Sequence, residues 1–99
     1  MPVAYVVAIR ERTRDAAKLE DYRKLIPSIF QKHTATVLAR DGRSEVLEGP
    51  KNENVIIIEF PSYEAAQNWY RSPEYQAACK YRFQGGDYRL ILTEGVGKP

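Results

Sequence analysis

Two residues first suggest chemistry: His33, the only histidine, and Glu59, the only charge in the apolar run Val55-Ile56-Ile57-Ile58-Glu59-Phe60. A histidine beside a carboxylate keeps its proton to higher pH and can act as acid or base near neutrality. A carboxylate in an apolar strand is costly to bury unpaired, so Glu59 is expected to have a partner, either His33 or an arginine. Tyr22 and Tyr70 would add hydroxyls, and Trp69 an apolar wall. The candidate catalytic set is therefore His33, Glu59, Tyr22 and Tyr70, with Trp69 against a ligand. A second grouping is basic. Arg10, Arg40 and Arg89 together would hold a carboxylate or phosphate, although Asp87, Asp41, Glu11 and Glu48 are near enough in sequence to neutralise them. Plainer readings stand beside both groupings: His33 capping a helix, Glu59 facing solvent or a partner chain, and the arginines forming surface salt bridges.

Other chemistry finds little support. There is no Cys-x-x-Cys, no His-x-x-x-His and no phosphate loop, and a lone histidine does not make a metal site, so neither metal nor cofactor is expected. Cys79 lies on an apolar helical stripe, where cysteine is usually packing. Nucleophilic use would need a base beside it.

The elements that must position these residues are legible in order. Val3–Ile9 is uncharged, β-branched and aromatic, which predicts a strand. Asp15 can cap a helix whose stripe is Leu19, Tyr22, Ile26, Ile29, Phe30 and His33, with a kink expected at Pro27. Thr34–Arg40 is a second strand, with Asp41-Gly42 suited to a tight hairpin turn and Ser44–Leu47 as its return arm. Val55–Phe60 is the strongest strand. Ser62 can cap a second helix through Trp69 and Tyr70, and Ser72-Pro73-Glu74 would restart it. Tyr75, Ala78, Cys79 and Arg82/Phe83 continue its stripe. Gly85-Gly86 would end it in a left-handed turn before a last strand, Tyr88–Thr93.

This order predicts an α+β, βαββαβ (ferredoxin-like) domain: a four-stranded antiparallel sheet with both helices on one face. In that topology Glu59 and His33 fall at one end of the sheet, the expected site, and the three arginines at the other. A sheet covered on one face should alternate apolar and polar residues. Here Tyr5, Val7 and Ile9 are apolar as well as Ala4, Val6 and Ala8, and Val55 and Ile57 as well as Ile56, Ile58 and Phe60. Both faces want cover, and a second copy of the chain would supply it, so a homodimer is expected.

Ninety-nine residues bound one domain, residues 1–99, and 43% hydrophobic with 28% charged residues is ordinary globular usage rather than disorder. A net charge of +2, with basic and acidic residues interleaved, does not supply the clustered charge that nucleic acid demands. The apolar run at Val3–Ile9 is too short for a signal or membrane span, and a single cysteine permits no internal disulfide. Cytoplasmic location is the expectation.

The segments Tyr22-Arg23-Lys24-Leu25-Ile26-Pro27, Glu45-Val46-Leu47-Glu48-Gly49, Ile58-Glu59-Phe60-Pro61-Ser62, Trp69-Tyr70-Arg71-Ser72-Pro73-Glu74-Tyr75 and Arg89-Leu90-Ile91-Leu92-Thr93-Glu94-Gly95 resemble those of one family. It is the uncharacterised domain of unknown function numbered thirteen-thirty, within the dimeric α/β-barrel superfamily. The resemblance implies a ferredoxin-like protomer whose sheet pairs with a second sheet into a barrel. It brings no activity, because the superfamily spans cofactor-free monooxygenases, isomerases, haem enzymes and ligand-binding regulators. Where many relatives carry Tyr-Gly-Gly after the first helix, this chain has Lys32-His33-Thr34. The expected function is a small-molecule enzyme without bound cofactor, monooxygenase- or isomerase-like. The alternatives are a module that binds a small organic ligand without catalysis, and a protein whose main role is its dimer interface.

Overall fold

The structure, a computed structural model, describes residues 2–97. Its elements are β1 (Ala4–Thr13), α1 (Ala16–Lys32), β2 (Thr36–Arg40), β3 (Asn54–Phe60), α2 (Tyr63–Arg71), α3 (Pro73–Gly85) and β4 (Gly86–Glu94). The strands form one antiparallel sheet in the order β2-β3-β1-β4. The layout is ferredoxin-like, with the restarted second helix counted as α2 and α3.

The caps lie where residue type places them. The Asp15 carboxylate accepts from the Ala17 and Lys18 N–H groups, and the Ser62 hydroxyl from Ala65 N–H at 3.0 Å. Ser72 does double duty: its Oγ accepts from Tyr75 N–H and donates to the Trp69 carbonyl at 2.7 Å, joining the end of α2 to the start of α3. Pro73 occupies the first turn of α3, where no N–H is needed. α1 runs on through Pro27 without interruption.

Alternation sorts the strands into two faces. Ala4, Val6, Ala8, Ile56, Ile58, Phe60, Leu90 and Leu92 point towards the helices. There they meet Leu19, Ile26 and Ile29 of α1 and Trp69, Tyr75, Ala78 and Cys79 of α2 and α3. Phe60, Trp69, Tyr75 and Cys79 are the largest fully buried side chains. Trp69 stacks on Tyr75 with centroids 4.1 Å apart and on Phe60 at 5.1 Å, so truncating either aromatic neighbour should cost about 3–5 kcal/mol. Tyr5, Val7, Ile9, Val55, Ile57 and Ile91 occupy the other face, on which no helix packs.

Three expectations need correction. The return arm Ser44–Leu47 is not a strand, and residues 41–50 are exposed throughout. A four-residue arm there would have to lie on the outer edge of β2, the margin of the sheet, and its exposed residues bury too little to hold it. Asp41 does take a positive φ of 56°, but it ends β2 instead of opening a hairpin. β2 itself starts two residues late, because Thr34 adopts φ 58°. The third correction concerns Gly85-Gly86. Gly86 is extended, at φ −171°, not left-handed. Glycine is needed for close approach: a Cβ on Gly85 would lie 2.6 Å from Leu19 Cδ2, and one on Gly86 2.7 Å from the Arg12 carbonyl oxygen. The Gly85 carbonyl also accepts from Arg14 and Asp15 N–H, at 2.7 and 3.0 Å, tying the end of α3 to the start of α1.

Candidate ligand-binding site

A cavity of about 160 Å³ lies between α1 and the helix-covered face of the sheet. It is at the end where β1 and β2 finish and β3 and β4 begin, lined there by Arg10, Arg40, Asn54 and Tyr88. Its walls are apolar or aromatic: Ile26, Phe30, Ile56, Ile58, Trp69 and Leu90. Exposed Arg23, Pro27, Arg40 and Asp41 mark its mouth.

Polar groups converge on this apolar space. The Tyr22 and Tyr75 hydroxyls are 2.8 Å apart. Burial pushes the Tyr22 phenol up to about 12, against the lowering effect of its bond to Tyr75, and burial followed by the neighbouring Tyr22 raises Tyr75 further. Both phenols therefore stay protonated. Arg82, a charged residue on the inward stripe of α3, is only 5% exposed. Its guanidinium lies over the rings of Tyr88 and Phe83, 5.2 and 5.0 Å from their centroids, and Nη2 bonds Cys79 Sγ at 3.7 Å. Among the described residues, the buried side-chain polar atoms without a hydrogen-bond partner are Asn54 Oδ1, Trp69 Nε1 and Arg82 Nε. All three residues line this one cavity. Buried polar atoms are normally paired, so three unpartnered ones on residues lining one cavity set it apart from the rest of the core.

The residues expected from sequence divide sharply. Tyr22, Trp69 and Arg40 line the cavity. His33 does not: its backbone N–H closes α1 on the carbonyls of Ile29 and Phe30, and its Nε2 is 2.9 Å from Glu74 Oε1. That bond holds the Glu74 carboxyl below the usual value of 4.5, outweighing the opposing effect of burial. Glu59 is not brought to His33. It pairs in register with Tyr5 and Thr36 at the expected end of the sheet, but alternation puts it with Val55 and Ile57 on the helix-free face. Tyr70 is 40% exposed and outside the cavity, since it follows Trp69 by one residue on a helix and cannot share its inward direction. Of the arginines, Arg10 is held by Glu53 at 2.9 Å while lining the cavity, and Arg89 lies on the opposite face, beside Ile9 and the 45–52 loop. Asp87 neutralises Arg12 and Arg14. The cavity thus lies at the opposite end of the sheet from the expected site. Sequence reading missed Asn54, Tyr75 and Arg82. Arg82 had a signal, a charge at a stripe position, which packing alone does not explain.

No group of three His, Cys, Asp or Glu side chains among the described residues is arranged to hold a metal ion.

Fold and cavity together describe a ferredoxin-like protein with a pocket between helix and sheet. The chain belongs to the family defined as a domain of unknown function, DUF1330, whose profile matches residues 3–96. Among solved structures it is similar to the RPA0582 protein of unknown function from Rhodopseudomonas palustris, with 23% identity and a TM-score of 0.75, over 98% of this chain and 85% of that one. It is similar to a dimeric ferredoxin-like protein of unknown function from Bacteroides fragilis, with 14% identity and a TM-score of 0.64, over 94% and 96%. It also resembles SnoaB, a cofactor-independent oxygenase from Streptomyces nogalater, with 12% identity and a TM-score of 0.60, over 97% and 94%. At these identities the likeness is one of fold. No curated protein matches the chain.

Proposed function

We propose that this protein binds a small organic molecule in the cavity between α1 and the sheet. The observation that carries the reading is that the three residues bearing a buried, unpartnered polar atom, Asn54, Trp69 and Arg82, all line this cavity. An apolar pocket with a few converging polar groups is the usual form of a small-molecule site. A thermal-shift screen of compounds up to roughly a dozen heavy atoms tests it, because a ligand at a hundred times its Kd stabilises the native state by about 2.7 kcal/mol. Ile56→Trp, which fills the cavity, should abolish the stabilisation. A screen without binders, or binding indifferent to Ile56→Trp, would remove the cavity from consideration.

A catalytic version has one observation in its favour. Two hydroxyls beside a buried guanidinium in a mostly apolar site are a set that stabilises a developing enolate or oxyanion. In that version the chain is a cofactor-free enzyme of monooxygenase or isomerase type, as SnoaB is named an oxygenase without cofactor. Asp41, the only carboxylate in the lining among the described residues, would take up the proton, although it already accepts a hydrogen bond from Asn54 Nδ2. Loss of turnover in Asp41→Asn with binding retained would support catalysis, and binding without any turnover would confine the protein to the binding role.

We further propose a single-domain homodimer formed through the helix-free face, where Tyr5, Val7, Ile9, Val55, Ile57 and Ile91 lie together. The similar Bacteroides fragilis protein is described as dimeric. Cys79 is buried and unpaired, which suits the cytoplasm, and no helix among the described residues is long and apolar enough to cross a membrane.

A further inference from the structure

We propose that the cavity's ligand is a small organic anion with a flat apolar body, a carboxylate, enolate or phenolate, held by Arg82 as its counter-ion. The inference rests on the reading of the cavity as a binding site and adds the chemical class of what it binds. Arginine does not lose its proton in proteins, so a guanidinium 5% exposed is a buried cation. Such a charge is normally paired, because its desolvation costs several kcal/mol. Arg82 makes no ion pair with any Asp or Glu among the described residues, whereas its neighbours in charge do. Arg10 has Glu53, and Arg12 and Arg14 share Asp87. What surrounds Arg82 is soft and neutral: two aromatic rings, the Cys79 sulfur and the protonated phenols of Tyr22 and Tyr75. The inner part of the cavity therefore carries an uncompensated positive charge, and Asp41 stands at the mouth, engaged by Asn54.

The count of donors agrees. Arg82 Nε–H and Trp69 Nε1–H are unpartnered donors. The two phenols own two hydroxyl protons and their mutual bond uses one, so a third donor remains for a ligand. Against these stands one unpartnered acceptor, Asn54 Oδ1. Donors in excess over acceptors fit a ligand rich in acceptor oxygens. Its body is set by the walls: Phe30, Trp69 and Tyr75 present rings, and Ile56, Ile58 and Leu90 close the rest. A cavity of about 160 Å³ is of the size that holds a benzene ring.

The test is charge selectivity in the unmodified protein. Amide-detected NMR titration would use matched pairs: benzoate and benzamide, 2-hydroxybenzoate and 2-hydroxybenzamide, cyclohexanecarboxylate and its amide, with benzylamine as the cation. The expected result is shifts of residues lining the cavity, each carboxylate binding about tenfold or more tighter than its amide, and benzylamine not binding. Arg82→Gln should erase the preference. Because that variant removes a buried side chain, the preference of the wild-type protein is itself decisive if the variant does not fold. Amides that bind as tightly as carboxylates, in competition with Ile56→Trp filling, would overturn the charge assignment and leave the cavity reading intact. A preference that survives Arg82→Gln would overturn Arg82 as the counter-ion. Failure of every pair to bind would overturn both.

Discussion

Replacing Ser72 by alanine should cost more than its single lost hydroxyl suggests. The hydroxyl accepts from Tyr75 N–H and donates to the Trp69 carbonyl, and Ser72 itself is only 7% exposed. The Trp69 carbonyl keeps the Ser72 N–H at 3.2 Å, so that side of the loss is small. The Tyr75 N–H has no such reserve. Tyr75 is fully buried, and water cannot easily replace the lost acceptor. The cost belongs at the upper end of the helix-cap range, about 2 kcal/mol, because a buried donor is left unpaired. For a chain of 99 residues, an unfolding entropy of about 2.1 cal/mol/K per residue turns this into a fall in Tm of about 10 °C. Ser62 is the internal control: it caps α2 through one bond to half-buried Ala65, so Ser62→Ala should cost about 1 kcal/mol, or about 5 °C. Both are read by circular dichroism melting, checked by urea unfolding with unchanged m. A Ser72→Ala protein that melts with the wild type, or loses less than Ser62→Ala, would refute the claim that this hydroxyl staples α2 to α3.

Ile57→Lys, on the helix-free face, should halve the mass seen by light scattering after size exclusion at micromolar concentration, while Ile56→Lys should instead disrupt folding, since Ile56 faces the helices. A wild-type protein already monomeric there would end the dimer proposal. Gly86→Ala should destabilise by about 1–3 kcal/mol, since its Cβ meets the Arg12 carbonyl oxygen; Gly42→Ala, with nothing within 4 Å, should be close to neutral, and equal effects would contradict the close approach. Glu74, with its carboxyl held low chiefly by His33, contributes stability that is full above the unfolded carboxylate value and is lost as pH falls through the folded one. Tm followed downwards from about pH 6 should therefore fall less steeply in Glu74→Gln than in the wild type, and parallel curves would show that the pair is not felt.

Much of the architecture follows from local signals that no tertiary contact overrides. Ser72-Pro73 breaks the second helix because a cap hydroxyl and a ring without N–H act within one turn, and Asp15 opens α1 for the same reason. The hairpin arm failed because a turn dipeptide sets a direction without supplying burial: the outer edge of β2 was open to Ser44–Leu47, but a short exposed arm buries too little to stay on it. The His33–Glu59 pairing failed for a different reason. Position along the strand placed Glu59 at the right end, but parity with Val55 and Ile57 already assigned it to the far face. The site was legible in part through Tyr22, Trp69 and Arg40. Arg82 was legible only as an anomaly: a guanidinium in line with Tyr75, Ala78 and Cys79 has to be explained by what it faces, and that depends on α3 lying over Tyr88 and against α1.

The irregularity in β2 bears on how such molecules associate. Register shifts between Val37 and Ala39, so Leu38 stands outside regular pairing in a strand that is also one margin of the sheet. A margin with a bulge is a poor template for another strand, because the row of main-chain donors and acceptors is bent out of line. The opposite margin, β4, carries the charged residues Asp87, Arg89 and Glu94, side chains of the kind that blunt an open strand edge. Growth by strand addition, which has no natural end and leads to fibres, is thus discouraged at both sides. Contact through the broad sheet surface is self-complementary about a two-fold axis and saturates after one event. A chain that hid its apolar strands by the proposed pairing would thereby be kept from polymerising.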